Sequence, residues 1–105
     1  MTQIAIPEFV EAVAAGAYVL DVREAAEFAA GHVPGAVSMP MALIPVRDNE
    51  MPSARMVYVV CETGGRSAQA AMFLARKGVD VVNVSGGMAA WRLAGLPTVK
   101  GGQQR

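Results

Sequence analysis

The chain has 105 residues and a mass of 10.9 kDa, the size of one domain; 53% of its residues are hydrophobic and 17% charged, which excludes long intrinsic disorder. Nine basic residues balance nine acidic ones, so the broad basic surface of a general nucleic-acid binder is absent. With one cysteine, Cys61, and one histidine, His32, the chain can form neither an intrachain disulfide nor a four-ligand structural zinc site.

Residues 4–6 are β-like but short. Pro7 opens a helix in a first-turn position where a missing N–H costs nothing. Phe9, Val10, Val13 and Ala14 form its apolar stripe, and Gly16 ends it. Residues 18–22 read as a strand buried on both faces, with the carboxylate of Asp21 near its C-terminal end. A short helix over 25–30 is closed by Gly31, and 32–36 form a turn into a brief strand near Val37. Between Pro40 and Pro52 the pattern allows one helical turn, over 43–48. Residues 56–60 are the clearest strand, and Cys61 follows it directly. A helix over 67–77 ends at Gly78, a strand covers 81–84, and a last helix covers 87–94, ended by Gly95.

Strands alternating with helices predict an α/β fold, a mostly parallel central sheet with helices on both faces. Residues 1–100 are expected to form a single domain, with 101–105 a flexible tail. Ligands of such sheets bind beyond the C-terminal strand ends, where Asp21 and Cys61 both lie. The uncharged run 28–46 is long enough to suggest a membrane span, but Pro34, Pro40, Pro45, Gly31 and Gly35 interrupt any continuous helix. Glu8 and Glu11 near the start, with no basic leader, argue against a signal or transit peptide. A soluble cytoplasmic protein is expected.

The informative segment is Cys61-Glu62-Thr63-Gly64-Gly65-Arg66-Ser67, between a strand and a helix. A thiol heading a loop that enters a helix faces unpaired backbone N–H groups, which stabilise a thiolate together with the helix dipole. Gly64 and Gly65 permit the positive φ values that let successive N–H groups converge, and Arg66 is expected to add a positive charge. Ser67 can cap the helix or donate to the sulfur. A lone cysteine after a buried strand is often only a small core residue. Here the glycines and the arginine that follow point instead to a reactive thiol in an anion-binding nest.

At this point the sequence resembles the rhodanese-like sulfurtransferase family over about residues 4–98. Asp21-Val22-Arg23 matches the family's Asp-x-Arg strand end, and 31–36 its Gly-His-Ile-Pro-Gly-Ala turn. Cys61 begins its active-site loop, and Gly86-Gly87 with Trp91, Gly95, Leu96 and Pro97 matches its closing motif. The resemblance implies a catalytic Cys61 that becomes a persulfide, with backbone N–H groups from Glu62, Thr63, Gly64, Gly65, Arg66 and Ser67 and the Arg66 side chain binding substrate. It implies a small sulfur donor and a thiol or protein acceptor, with no cofactor, metal, nucleic acid or membrane. Four residues separate Cys61 from Arg66, as in sulfur-transferring members; the related phosphatases and arsenate reductases have one more. A non-catalytic partner-binding module of the same family is the main alternative, and a small phosphatase or arsenate reductase a weaker one.

Well-known thiosulfate-using members often carry a basic residue straight after the cysteine, whereas this chain has Glu62, expected to repel an anionic donor. Asp21 and Arg23 are read as a strand-end ion pair supporting the loop. His32 belongs to a structural turn rather than to catalysis, and Trp91 to the core. Met39, Met41 and Met88 could line an apolar acceptor surface, but core filling is the preferred role.

Overall fold

A computed structural model describes residues 2–102. Its strands are β1 (Thr2–Ile4), β2 (Tyr18–Asp21), β3 (Val37–Ser38), β4 (Val57–Val60) and β5 (Val81–Val84). Its helices are α1 (Ile6–Ala14), α2 (Ala25–Ala30), α3 (Ile44–Arg47), α4 (Gly65–Arg76) and α5 (Gly87–Leu93). The strands form one five-stranded sheet in the order β1-β5-β4-β2-β3, parallel at every pairing. The predicted α/β architecture is therefore present, and the expected helical turn after Pro40 is α3 between two 3-10 turns, Met41–Leu43 and Asp48–Glu50.

Alternation along the strands builds two cores, one on each face of the sheet. Leu20, Val57 and Val59 point to the face covered by Ala70, Ala71 and Leu74 of α4 and Ile44 of α3. Val19, Val60 and Val84 point to the other, covered by Phe9 of α1, Phe28 of α2 and Met88 and Trp91 of α5. Phe9 meets Trp91 edge-on at 5.5 Å between ring centroids. Trp91 also donates from Nε1 to the carbonyl of Pro97 at 2.9 Å. Met39 and Met88 are buried, in keeping with core filling, while Met41 is only partly buried against the first core. Of the expected stripe on α1, Phe9 is buried and Val10 and Val13 half-buried, but Ala14 faces solvent.

Pairing of β2 with β4 sets Asp21 beside Val60, and pairing of β4 with β5 sets Val59 beside Asn83. This register gathers Asp21, Cys61 and Asn83 at one edge of the sheet, its C-terminal edge. At the chain's end, Val99 exchanges backbone hydrogen bonds with His32, and the Gly101 amide donates to Ala29. The segment expected to be a tail is thus tied down at its first residue; 103–105 lie outside the described residues. Among the described residues, no helix is long and apolar enough to cross a membrane.

Candidate active site

Cys61 lies at the exit of β4, fully buried, with the loop 62–64 wrapped around it before α4 begins. Gly64 caps α4 with φ +110°, a left-handed conformation that a side chain would strain. That turn aims the Gly64 amide back at the sulfur, where it donates to Sγ at 3.0 Å. The buried Ser67 hydroxyl, one turn into the helix, lies 3.3 Å from Sγ and 3.2 Å from the Gly64 carbonyl. Burial alone would push the thiol up, but the Ser67 hydroxyl and the amides of Ser67, Gly64 and Thr63 together pull it below its ordinary value. The site therefore favours a sulfur anion, held by neutral donors.

Two features that the sequence reading did not assign hold the loop in this shape. Helix α5 donates its Met88 and Ala89 amides to the carbonyls of Cys61 and Glu62, at 2.8 and 2.9 Å. Gly87 makes this approach possible. A Cβ there would stand 2.3 Å from the Cys61 carbonyl oxygen and 2.7 Å from that of Glu62. The second feature is Asn83, buried on β5, whose Nδ2 donates to the Gly64 carbonyl at 3.3 Å and to Gln3 Oε1 at 3.1 Å. The sequence signals were a double glycine before the last helix and a polar residue inside a valine-rich strand.

The charged residues are arranged differently from expectation. Arg66 makes a two-bond contact with Glu27 of α2, at 2.8 and 3.0 Å. That contact holds the Glu27 carboxyl down at about 2. The guanidinium still feels the Cys61 charge, but its direct partner is a carboxylate. The Arg66 side chain, expected to bind substrate, thereby links α4 to α2.

Glu62 is also ion-paired. Its carboxylate is bracketed by Arg23 at 3.5 Å and by Arg92 of α5, so the expected repulsion of an anionic donor is met by two positive charges. Asp21 and Arg23 do form the expected pair. Arg23, almost fully buried, donates from Nη2 to Asp21 Oδ2 at 2.8 Å and from Nε to Oδ1 at 3.0 Å. Its Nη2 also reaches the Gly31 carbonyl at 2.8 Å. Although burial opposes its charge, the Asp21 contact prevails and the guanidinium is held above its ordinary value. It ties β2, the end of α2 and the residue after Cys61 into one unit.

His32 stands apart from the loop. Its ring stacks on Phe28 at 3.6 Å, and Nδ1 donates to the Phe28 carbonyl at 2.8 Å. The 31–36 turn thus closes α2, as its structural reading expects.

A parallel sheet with one thiol at its C-terminal edge, cradled by a short loop and a helix start, defines the class: a cysteine-loop α/β domain. Residues 6–94 match the rhodanese-like domain, and the chain belongs to that family. It is 44% identical over 81 residues to a sulfurtransferase of Allochromatium vinosum, covering 76% of each chain. Over 74 residues it is 38% identical to the putative sulfur carrier protein YrkF of Bacillus subtilis, covering 70% of this chain but only 40% of that one. Its fold is similar to that of a rhodanese-related protein from Thermoplasma volcanium, with a TM-score of 0.89 and 30% identity over 94% of this chain and 98% of the other.

Proposed function

We propose that the protein is a sulfurtransferase that carries sulfane sulfur on Cys61. The Cys61 thiolate attacks the outer sulfur of a donor, thiosulfate or a persulfide. The donor's S–S bond breaks, and the remainder leaves with the electron pair, as sulfite or a thiolate. A thiophilic acceptor then attacks the outer sulfur of the Cys61 persulfide, and the thiolate is regenerated. The acceptor is cyanide in vitro and a thiol or protein in the cell. No cofactor enters this cycle, and cytoplasmic reducing conditions suit a lone thiol.

The observation that carries this reading is the convergence of the Gly64 amide and Ser67 hydroxyl on a fully buried Sγ. Such a cradle stabilises the thiolate that begins the first half-reaction and the charge that returns to Sγ in the second. Retention of the cysteine favours catalysis over a purely partner-binding module. A loop of only four residues between Cys61 and Arg66 favours a sulfur atom over a tetrahedral oxyanion.

Intact-mass measurement tests the reading. Thiosulfate should add one sulfur atom to the protein, and cyanide should remove it as thiocyanate. Cys61→Ser should fold and gain nothing. Sulfur uptake by the serine variant, or none by the wild type, would refute the assignment.

A further inference from the structure

Asn83 is the odd residue of β5. Its neighbours Val81, Val82 and Val84 suit a strand buried on both faces, whereas asparagine is depleted in strands, and here it is only 1% exposed. Both protons of its amide are used, one on the Gly64 carbonyl at 3.3 Å and one on Gln3 Oε1 at 3.1 Å. Its Oδ1 is buried and has no hydrogen-bond partner among the described residues. Turning the amide over would not help, because Oδ1 would then face the Gly64 carbonyl, another acceptor. A buried acceptor left unpaired lowers stability, so an apolar side chain of the same size would suit the fold better. The use of the amide lies at Gly64.

The Gly64 carbonyl oxygen has two lone pairs and three donors within reach. These are the Ala68 amide at 3.2 Å, Asn83 Nδ2 at 3.3 Å and the Ser67 hydroxyl at 3.2 Å. The first is fixed by the helix and the second by the sheet. Only the hydroxyl is free to rotate, and its other acceptor is Cys61 Sγ at 3.3 Å.

We propose that Asn83 is a positioning residue for sulfur transfer: by filling the second lone pair of the Gly64 carbonyl, it releases the Ser67 hydroxyl to donate to Sγ. The proposal rests on the sulfur-transfer reading and adds to it a residue far from the loop in sequence. While Sγ carries the charge, it draws the hydroxyl proton. Once the bond to the incoming sulfur forms, the charge lies on the outer sulfur, and the hydroxyl swings back toward the Gly64 carbonyl. When an acceptor takes the outer sulfur, the electron pair of the broken bond returns to Sγ and the hydroxyl follows it. The proton stays on the Ser67 oxygen throughout, so the swing consumes no acid, base or oxidant. Gln3, level with Asn83 in the β1–β5 register, holds the other proton of the amide.

A double-variant cycle on the pH midpoint of Cys61 alkylation isolates this role. Asn83→Leu should raise the midpoint by about half a unit, an about threefold loss of thiolate below it, because the carbonyl then competes for the hydroxyl. In a Ser67→Ala background the same substitution should move the midpoint by less than about 0.2 unit, since no hydroxyl is left to redirect. The urea midpoint of Asn83→Leu should not fall below that of wild type, and Asn83→Val reads the same quantities if leucine does not fit. Equal shifts in both backgrounds would mean that the amide acts through the shape of the loop and not through Ser67. Those, an unchanged midpoint in Asn83→Leu, or unfolding of both apolar variants each overturn the proposal. Sulfur uptake by intact mass is scored separately. A wild type that loads no sulfur removes the sulfur-transfer reading, while the cycle still decides whether Asn83 directs the Ser67 hydroxyl.

Discussion

Replacing Ser67 by alanine removes the side-chain donor that most favours the Cys61 thiolate, and the surroundings make the consequence readable. The hydroxyl has one proton and two acceptors within reach, Sγ at 3.3 Å and the Gly64 carbonyl at 3.2 Å. When the thiol ionises, the charge draws that proton to sulfur. The Gly64 carbonyl then keeps the Ala68 amide at 3.2 Å and Asn83 Nδ2 at 3.3 Å. Alanine in this place therefore strands no buried acceptor, and the loss falls on the thiolate. A hydrogen bond to a charged group is worth about 1.5–3 kcal/mol, and one pKa unit corresponds to about 1.4 kcal/mol. Because this bond is long and shared, the low end applies, and the thiol should rise by about one unit.

Alkylation by iodoacetamide against pH reads that shift directly. The midpoint should move up by about one unit, while a more basic thiolate should raise the high-pH plateau by about threefold. Below the midpoint the two effects oppose each other and leave the variant about threefold slower. Stability follows the same sign. A thiol depressed in the folded state stabilises the fold above its unfolded value of about 8.5, and that gain is lost as pH falls through the folded value. Ser67→Ala should lose part of that alkaline gain. An alkylation midpoint equal to that of wild type would show that the hydroxyl serves the Gly64 carbonyl in both ionisation states, and would refute the reasoning.

The ion-pair arrangement makes Arg66→Ala a small change: the Cys61 midpoint should rise by less than about half a unit, and Glu27→Gln should lower it by a similar amount. A shift of a full unit in Arg66→Ala would mean that its charge acts on the sulfur and not on Glu27. Gly87→Ala should cost about 3 kcal/mol or more in urea unfolding, since its Cβ would collide with backbone. Gly16→Ala, also at positive φ but in open space, should cost only about 1–2 kcal/mol; equal losses would remove the collision as the cause. Asp21→Leu should cost about 3–5 kcal/mol by leaving Arg23 buried without its partner, and adding Arg23→Met should recover most of it. A double variant as unstable as the single one would show that packing, not the stranded charge, sets the loss.

Much of the fold was legible because its signals are local. Strand and helix periodicity, Gly31 and Gly78 after their helices, and the valine-rich run before Cys61 each act within a few residues. The cradle was legible for the same reason. Thiol, glycines and serine sit within seven consecutive positions, so chain geometry alone brings the Gly64 amide and Ser67 hydroxyl to the sulfur. The Asp21–Arg23 pair spans two residues at a strand end and was equally readable.

The partners of the remaining charges were decided only by tertiary structure. Arg66 lies 39 residues from Glu27, and Arg92 lies 30 from Glu62. Nothing in the local pattern indicates that α2 and α5 flank the loop closely enough for those side chains to meet. Gly87 reads as a helix start in sequence, and only the packed α5 shows that its missing side chain makes room for the Cys61 and Glu62 carbonyls. Asn83 reads as an interruption of a strand, and the sheet register turns it into a support for Gly64. Local sequence thus determined where a thiolate can form, because amides and glycines act over a few bonds. The electrostatics around it awaited the fold, because a long charged side chain is satisfied by whichever opposite charge the packing brings within reach.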